Sequence, residues 1–327
     1  MRAKGMLQQA AAHVRSTTAS GSVVYESERA VHEYLQFHYG TVLPPLSIFG
    51  TVDFSPTPPY LSHLYTSPTA GDPKQVAPFS FAPSDALEFL PRTVDECAKL
   101  TSGDRRHRAL DVGCAVGRAT FELSKHFDEV RPPNDQRLVI DCEWLTLWID
   151  TQAVGIDFSH HFAETADKMK QLGRLEYEAH IQGDIRETRV AALPAGAIPD
   201  RVSFQQGDAC DLQPSLGQFD AVFASNLLCR LPEPAKFLDD IERFVRPGGV
   251  LALVSPYSWL EEYTAKDKWI GAVRDDQGQP VDSFSVIARH LDANFELVKR
   301  QDYPFLIREH ERKYQWGVSD GTFWRRK

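Results

Sequence analysis

The chain lacks an apolar run long enough to cross a bilayer, and its cysteines lack any spacing that would suit zinc or a redox pair. Cys97, Cys114, Cys142, Cys210 and Cys229 are scattered singly, which reads as free thiols in a reducing compartment and implies no metal site. An excess of positive charge is missing as well. The 36 Lys and Arg are outnumbered by 45 Asp and Glu, for a formal net charge of −9. That balance excludes a general nucleic-acid binder, which carries a basic face. What is present is a 42% hydrophobic content over 327 residues, enough for one large globular domain with additions.

The clearest local pattern is "RALDVGCAVGRATFELSKHF". Ala109 to Val112 is a short apolar run expected to be a buried parallel strand, and Ala119 to Phe127 has helical periodicity. Gly113 and Gly117 bracket the turn between them. Glycines let a backbone approach a ligand, and a helix N-terminus offers free N–H groups. The turn reads Asp-x-Gly-x-Ala-x-Gly, not the G-x-G-x-x-G of a dinucleotide site.

This turn resembles motif I of class I S-adenosylmethionine (SAM)-dependent methyltransferases, and further motifs follow in that family's order. "VGIDFS" is a second strand ending in Asp157, placed to accept the ribose hydroxyls, with Phe158 next to it. "VSFQQGDACDL" supplies a third strand and Asp208, which in this resemblance receives the adenine amino group, beside Ala209. "GQFDAVFASNLLCRLPEP" gives a fourth strand, Phe219 to Ser225, followed by Asn226; "FVRPGGVLALVSPY" gives a Pro-Gly-Gly turn and a fifth. The resemblance implies an α/β fold, a Rossmann-like doubly wound and mostly parallel sheet with helices on both faces. SAM is the expected cofactor. Asp111, Gly113, Cys114, Ala115, Gly117, Asp157, Phe158, Asp208, Ala209 and Asn226 are expected to bind it.

Two stretches depart from the pattern. A ribose-binding acid lies about 20 residues beyond the glycine turn, yet Gly117 and Asp157 are 40 positions apart. Removing the 23 residues Arg131 to Ala153 would give a continuous "FDEVVGIDFS". The expectation is a retained intron or gene-model error, with a genuine flap as the alternative. Residues 45–75 are rich in Pro, Ser and Thr and read as a second atypical insertion. The domain is expected over 23–327, after a disordered extension at 1–22. The first 25 residues carry Arg2, Lys4 and Arg15 and no acid, so a cytoplasmic location has mitochondrial targeting as its alternative.

"VVYESERAVHEYLQFHYG", "SNLLCRLPEP", "SPYSWLEEYTAKDKWIGA" and "RQDYPFLIREHERKYQWGVSDGTFWRR", together with the glycine-turn segment, resemble the methyltransferase domain of ovothiol biosynthesis. That family methylates a ring nitrogen of 5-thiohistidine (4-mercaptohistidine). The larger ovothiol proteins also carry an iron-dependent sulfoxide synthase region, for which there is no room before Tyr25. The resemblance therefore implies a stand-alone methyltransferase, with a separate sulfoxide synthase and C–S lyase upstream and no nucleic-acid or membrane partner.

Thiohistidine presents a carboxylate, an ammonium, an imidazole and an acidic thiol, so its pocket needs a cation, acids or carbonyls, and aromatic walls. The segment from Phe305 to Trp316 offers all three: Arg308, Arg312 and Lys313, then Glu309 and Glu311, then Tyr314 and Trp316. It is expected to be a late strand whose alternate side chains face the ligand. Tyr25, Tyr34, His38 and Tyr39 are expected on a helical lid, His38 rather as a structural histidine than a base. Arg230 is placed to hold a carboxylate or thiolate, and Tyr257 and Trp259 to wall the cavity. The substrate set is thus Tyr25, Tyr39, Arg230, Tyr257, Trp259, Arg308, Glu309 and Lys313. No catalytic base is named, because transfer from a sulfonium depends on orientation. Another small amino acid or phenol as acceptor, or a non-catalytic SAM-fold binding protein, are the alternatives.

Overall fold

The computed structural model describes residues 25–40, 86–102, 106–127, 152–310 and 312–327. In chain order the elements are α1 Glu28–Tyr39, α2 Phe89–Leu100, β1 Ala109–Val112, α3 Arg118–Leu123, β2 Ala153–Asp157 and α4 His160–Leu172. They continue with β3 Arg174–Gln182, β4 Ile185–Ala192, β5 Val202–Gln206, β6 Phe219–Ser225, α5 Pro234–Asp240 and β7 Val245–Ser255. The last are the short strands β8 Val273–Arg274 and β9 Pro280–Val281, α6 Ser283–Leu291, β10 Phe295–His310 and β11 Lys313–Arg326.

A seven-stranded sheet in the order β10-β11-β7-β6-β1-β2-β5 forms the centre. The five strands from β7 to β5 are parallel, while β11 joins β7 and β10 in antiparallel fashion. Period-two alternation makes the sheet two-faced. Ala221 and Phe223 of β6, with Val250 and Ala252 of β7, enter the core beneath α2, α3 and α4. Their neighbours Val222, Ala224, Leu251 and Leu253 enter the opposite core with Phe237 of α5 and Ile287 of α6. Phe323 and Trp324 extend the same division along β11, one to each core. Buried on both sides, the central strands β6 and β7 carry near-continuous apolar runs, as is usual for parallel strands.

Local chemistry sets the helix ends. Ser27 Oγ accepts from Ala30 N–H at 3.1 Å to start α1, and Ser159 Oγ accepts from Phe162 N–H at 3.1 Å to start α4. Gly173 ends α4 in the left-handed region at φ 73°. β1 neighbours β2 on one side and β6 on the other. The loops leaving these strands diverge, which opens a crevice at their carboxyl ends.

Ala109 to Val112 and Phe219 to Ser225 are the strands the sequence leads one to expect. α3 is shorter than the expected helix, because residues 124–126 form turns. Most of 131–153, the whole of 45–75 and residues 1–22 lie outside the described residues. The far boundary of the expected excision does fall on described chain, and it cuts into the sheet. Ala153 is the first residue of β2 and pairs with Ala109 and Val202. Gln152 accepts from Ala109 N–H at 2.6 Å and donates its N–H to Arg201 at 3.0 Å. The stretch from Phe305 to Trp316 is not one strand either. It is the end of a hairpin in which Leu306 pairs with Trp316 and Ile307 with Gln315. Sequence reading also passed over the β3–β4 hairpin, which packs against α1 and β10.

Gly155, in the middle of β2, has no room for a side chain. An added Cβ would lie 2.6 Å from Phe204 and 2.7 Å from Thr120 Oγ1. Overpacking of this kind costs about 1–3 kcal/mol. Gly155→Ala is expected to lower unfolding free energy by that amount in a urea titration with an unchanged m-value; wild-type stability would show that β2 can shift to relieve the contact.

Candidate functional site

A cavity of about 400 Å³ opens at the carboxyl ends of β1, β2, β5 and β6, beneath α1. Its first wall is the turn after β1. Gly113 holds φ 79°, and a Cβ there would meet Leu227 at 2.9 Å, so only glycine fits. Ala115 stands at φ 47°, unusual for a residue with a side chain. Its N–H donates to Asp157 Oδ2 at 2.8 Å, and Ser159 N–H donates to Asp157 Oδ1 at 2.9 Å. One carboxylate at the end of β2 thus ties the glycine turn to the start of α4. Deeper in, Thr120 Oγ1 donates to Asp111 Oδ2 at 2.7 Å. Burial raises both acids above the ordinary carboxylate range, Asp111 to about 7 and Asp157 to about 6.

The second wall comes from β5 and β6. Asp208 Oδ1 accepts from Cys210 N–H at 2.8 Å, which points the acid along the cavity rim. Asn226 takes φ 52°, which asparagine tolerates better than most residues, and its Oδ1 accepts from Ser319 Oγ at 2.8 Å. Asp111, Gly113, Cys114, Ala115, Asp157, Phe158, Asp208, Ala209 and Asn226 all border the cavity. Gly117 does not. It turns α3 away at φ 85° and faces Phe204 and Ala166 closely, so its glycine is required by packing.

The third wall is aromatic. Tyr34, Phe37 and His38 of α1 border the cavity, joined by Tyr25, Phe162, Tyr263 and Phe305. Tyr34 and Phe162 ring centres lie 4.7 Å apart, and Tyr25 stacks on Tyr263 at 5.9 Å. Desolvation holds the His38 imidazole neutral, lowering its pKa to about 3, and pushes the Tyr34 phenol up to about 12. Arg230 is the one cation among the described lining residues. Its guanidinium sits 4.7 Å from the Tyr263 ring centre, and Nη1 donates to the Ser258 carbonyl at 2.7 Å and the Cys229 carbonyl at 3.0 Å.

Of the residues expected to contact the acceptor, Tyr25 and Arg230 border the cavity; the other six lie elsewhere. Tyr39 is buried and donates to the Val116 carbonyl at 2.9 Å, bracing the glycine turn from behind. Trp259 is buried in the core, donates Nε1–H to Ser283 Oγ at 3.0 Å and stacks on Trp269. Tyr257 donates to Asp320 Oδ2 at 2.9 Å. Arg308 is buried beside Gln36, whose amide donates to the Arg308 carbonyl at 3.3 Å. Glu309 pairs with Lys313 at 2.6 Å across the hairpin end, with Lys313 largely exposed. The same hairpin instead contributes Phe305, Ile307 and Gln315 to the cavity. Ile307 pairs with Gln315 and shares a face with Phe305; these were missed because charged residues, not apolar or neutral ones, mark a ligand site by type. Tyr263 was missed because "EEYTAK" reads locally as solvated loop.

The residues suit a cofactor with a ribose, an adenine and a cationic centre. Carboxylates stand where hydroxyls and an amino group would be held. Ser225 Oγ, at the end of β6 on the cavity, is buried without a hydrogen-bond partner among the described residues. Residues 140–253 match a family model described as a methyltransferase domain. With the strand order and the site at the carboxyl ends of its strands, that decides the class. The fold is that of class I SAM methyltransferases, and the enzyme is a SAM-dependent methyltransferase. Its cofactor is SAM. The matched span begins within the excision expected at 131–153 and runs to β7; the glycine turn precedes it.

Among solved structures, magnesium protoporphyrin IX methyltransferase from Synechocystis PCC 6803 with bound SAM is 14% identical. It covers 88% of this chain and 99% of its own, with a TM-score of 0.41. A TehB-like SAM-dependent methyltransferase from Corynebacterium glutamicum is 15% identical over 73% of this chain and 87% of its own, at 0.36. The YcgJ protein of Bacillus subtilis is 12% identical over 72% and 98%, at 0.43. At such scores these likenesses carry no weight of their own. Among the described residues of the methyltransferase, no helix is long and apolar enough to cross a membrane.

The two raised carboxylates give cofactor binding a pH dependence of definite sign. Below about 6 to 7 Asp111 and Asp157 hold protons in the free protein. A bound cation and ribose hydroxyls favour the ionised forms, so binding releases protons and tightens as pH rises through that window. Calorimetry of SAM in buffers of different ionisation enthalpy is expected to report proton release below pH 7 and little above it. Asp157→Asn should weaken binding by about tenfold or more at pH 8, from loss of hydrogen bonds to a charged group, and flatten the pH profile; an unchanged profile would show that Asp157 stays ionised throughout.

Proposed function

We propose that this methyltransferase transfers the methyl group of SAM to a ring nitrogen of 5-thiohistidine, the step of ovothiol biosynthesis to which its sequence segments are similar. The observation that carries the proposal is one continuous cavity in which the acid-lined cofactor wall faces an aromatic chamber containing Arg230. The rings can sandwich an imidazole, and the guanidinium can hold an anionic sulfur or carboxylate. Glu33, which also borders the cavity, is an acid of the right sign for the amino group.

SAM supplies an electrophilic methyl on a sulfonium whose departure leaves a neutral thioether. The residues of the chain have to place a nitrogen lone pair in line with that methyl and keep water out. In the thiolate form of the acceptor one ring nitrogen carries a lone pair and the other keeps its proton. Attack then yields an N-methyl imidazolium thiolate, with no proton transferred in the step, so the mechanism requires no general base. Sulfur is the stronger competing nucleophile. Arg230 would favour the thiolate and keep it turned from the methyl, which makes the nitrogen the reacting atom. In the proposed pathway a separate sulfoxide synthase and a C–S lyase provide the thiohistidine.

Purified protein incubated with SAM and 5-thiohistidine, with histidine as control, is expected to give a product heavier by one methyl that fragmentation maps to a ring nitrogen. Arg230→Gln should lower kcat/KM by about ten- to hundredfold, the value of a hydrogen bond to a charged group, and raise the share of S-methylated product. Methylation of histidine but not of thiohistidine would overturn the substrate assignment.

A further inference from the structure

We propose that Tyr257 is the positioning residue for Arg230, acting through the Ser258 carbonyl, and that the acceptor's anionic group is well held only while this tether is intact. The inference rests on the reading of Arg230 as the anion contact. Tyr257 itself lies outside the cavity. Its backbone stands at φ 52°, a conformation a bulky side chain adopts only when its surroundings enforce it.

Those surroundings are well defined. The phenol donates to Asp320 Oδ2 at 2.9 Å. Asp320 is itself fixed by Arg300, whose Nε donates to Oδ1 at 3.0 Å and to Oδ2 at 3.1 Å. The Arg300 guanidinium rests 3.8 Å from the Phe284 ring centre. On the backbone, Tyr257 N–H donates to Ser255 Oγ at 3.2 Å, and Trp259 N–H donates back to the Tyr257 carbonyl at 2.9 Å. The loop after β7 is therefore pinned at Tyr257 by β10 and β11.

One residue further on, the Ser258 carbonyl accepts from Arg230 Nη1 at 2.7 Å, the shortest contact of that guanidinium. Ser258 and Arg230 both border the cavity. Strain at Tyr257, maintained by its phenol, thus sets where the carbonyl stands, and the carbonyl sets where the positive charge stands. Burial and the neighbouring Asp320 raise the phenol pKa far above its ordinary value, so the hydroxyl remains a donor at neutral and alkaline pH. Ser319, not Asp320, bonds Asn226 on the cofactor side. Releasing the phenol therefore leaves the cofactor wall unaltered.

The test compares wild type, Tyr257→Phe, Arg230→Gln and the double variant. SAM affinity by calorimetry reports folding and the cofactor wall, and steady-state kinetics with 5-thiohistidine report the acceptor side. A crystal structure of Tyr257→Phe locates the guanidinium. The expected result is unchanged SAM affinity in Tyr257→Phe, an acceptor KM raised by about tenfold or more, and a guanidinium displaced from the Ser258 carbonyl. The double variant should be no worse than Arg230→Gln alone, because the two residues act in series. Multiplying effects, an unmoved guanidinium, or loss of SAM affinity in Tyr257→Phe would each overturn the proposal. If wild type leaves thiohistidine untouched, the substrate reading fails, while the position of Arg230 in the Tyr257→Phe crystal still decides the tether.

Discussion

The carboxylate of Asp157 is the interaction on which the rest of the site depends. It accepts the N–H of Ala115 and the N–H of Ser159, so a single side chain closes the glycine turn and opens α4. The bond from the Ala115 N–H helps hold that residue at φ 47°. The acid also has its price: burial raises its pKa to about 6, so an ionised Asp157 is costly until hydroxyls or a cation reach it. A strained turn and a buried acid are the two sides of a wall prepared for a ligand that it must partly desolvate.

A second constraint comes from the other end of the chain. The parallel strands deliver only the cofactor wall. Antiparallel β11, added beside β7, brings Ser319 to Asn226 and Asp320 to Tyr257 on adjacent residues. Successive side chains of a strand point to opposite faces, which is how one short segment can reach two different loops. β10 then carries Phe305 and Ile307 into the cavity. The late hairpin is therefore less a binding surface than a frame that fixes loops grown from earlier strands.

This explains which parts were legible in the sequence. Strands β1 and β6, the glycine turn and the acid at 157 follow from local pattern, because short-range backbone geometry and a required φ > 0 leave marks within ten residues, while the acids at 111 and 208 come from the family resemblance. The acceptor side leaves no such marks. Tyr257, Trp259, Arg308, Glu309 and Lys313 look like ligand contacts by residue type, yet their partners are Asp320, Ser283, Gln36 and one another. Each of the first three partnerships spans at least 24 positions, beyond the reach of any local window. Phe37, Phe162 and Tyr263 had the opposite fate. They read as ordinary helix or loop residues and become cavity walls only when α1 closes over α4 and the loop before Ala265.

The charge layout of the cavity bears on the chemistry it favours. Asp111 stands on β1, Asp157 at the end of β2, Asp208 after β5 and Arg230 after β6, and aromatic rings share the same lining. A cationic methyl donor and an anionic acceptor would each be held near the opposite charge. Their reaction moves the positive charge from the sulfonium onto the ring beside the thiolate, and in water it is slowed by hydration of the separated ions. A chamber walled by Tyr34, Phe37, Phe162 and Tyr263 removes that hydration, and the fixed dipoles and charges of the lining take its place. With the proposed acceptor, Arg230 would have to be near enough to hold the anion and still enough not to follow it toward the methyl, since a guanidinium free to travel would deliver the sulfur along with the ring. Anchoring the cation to a backbone carbonyl, rather than to a flexible acid, meets that requirement without neutralising its charge.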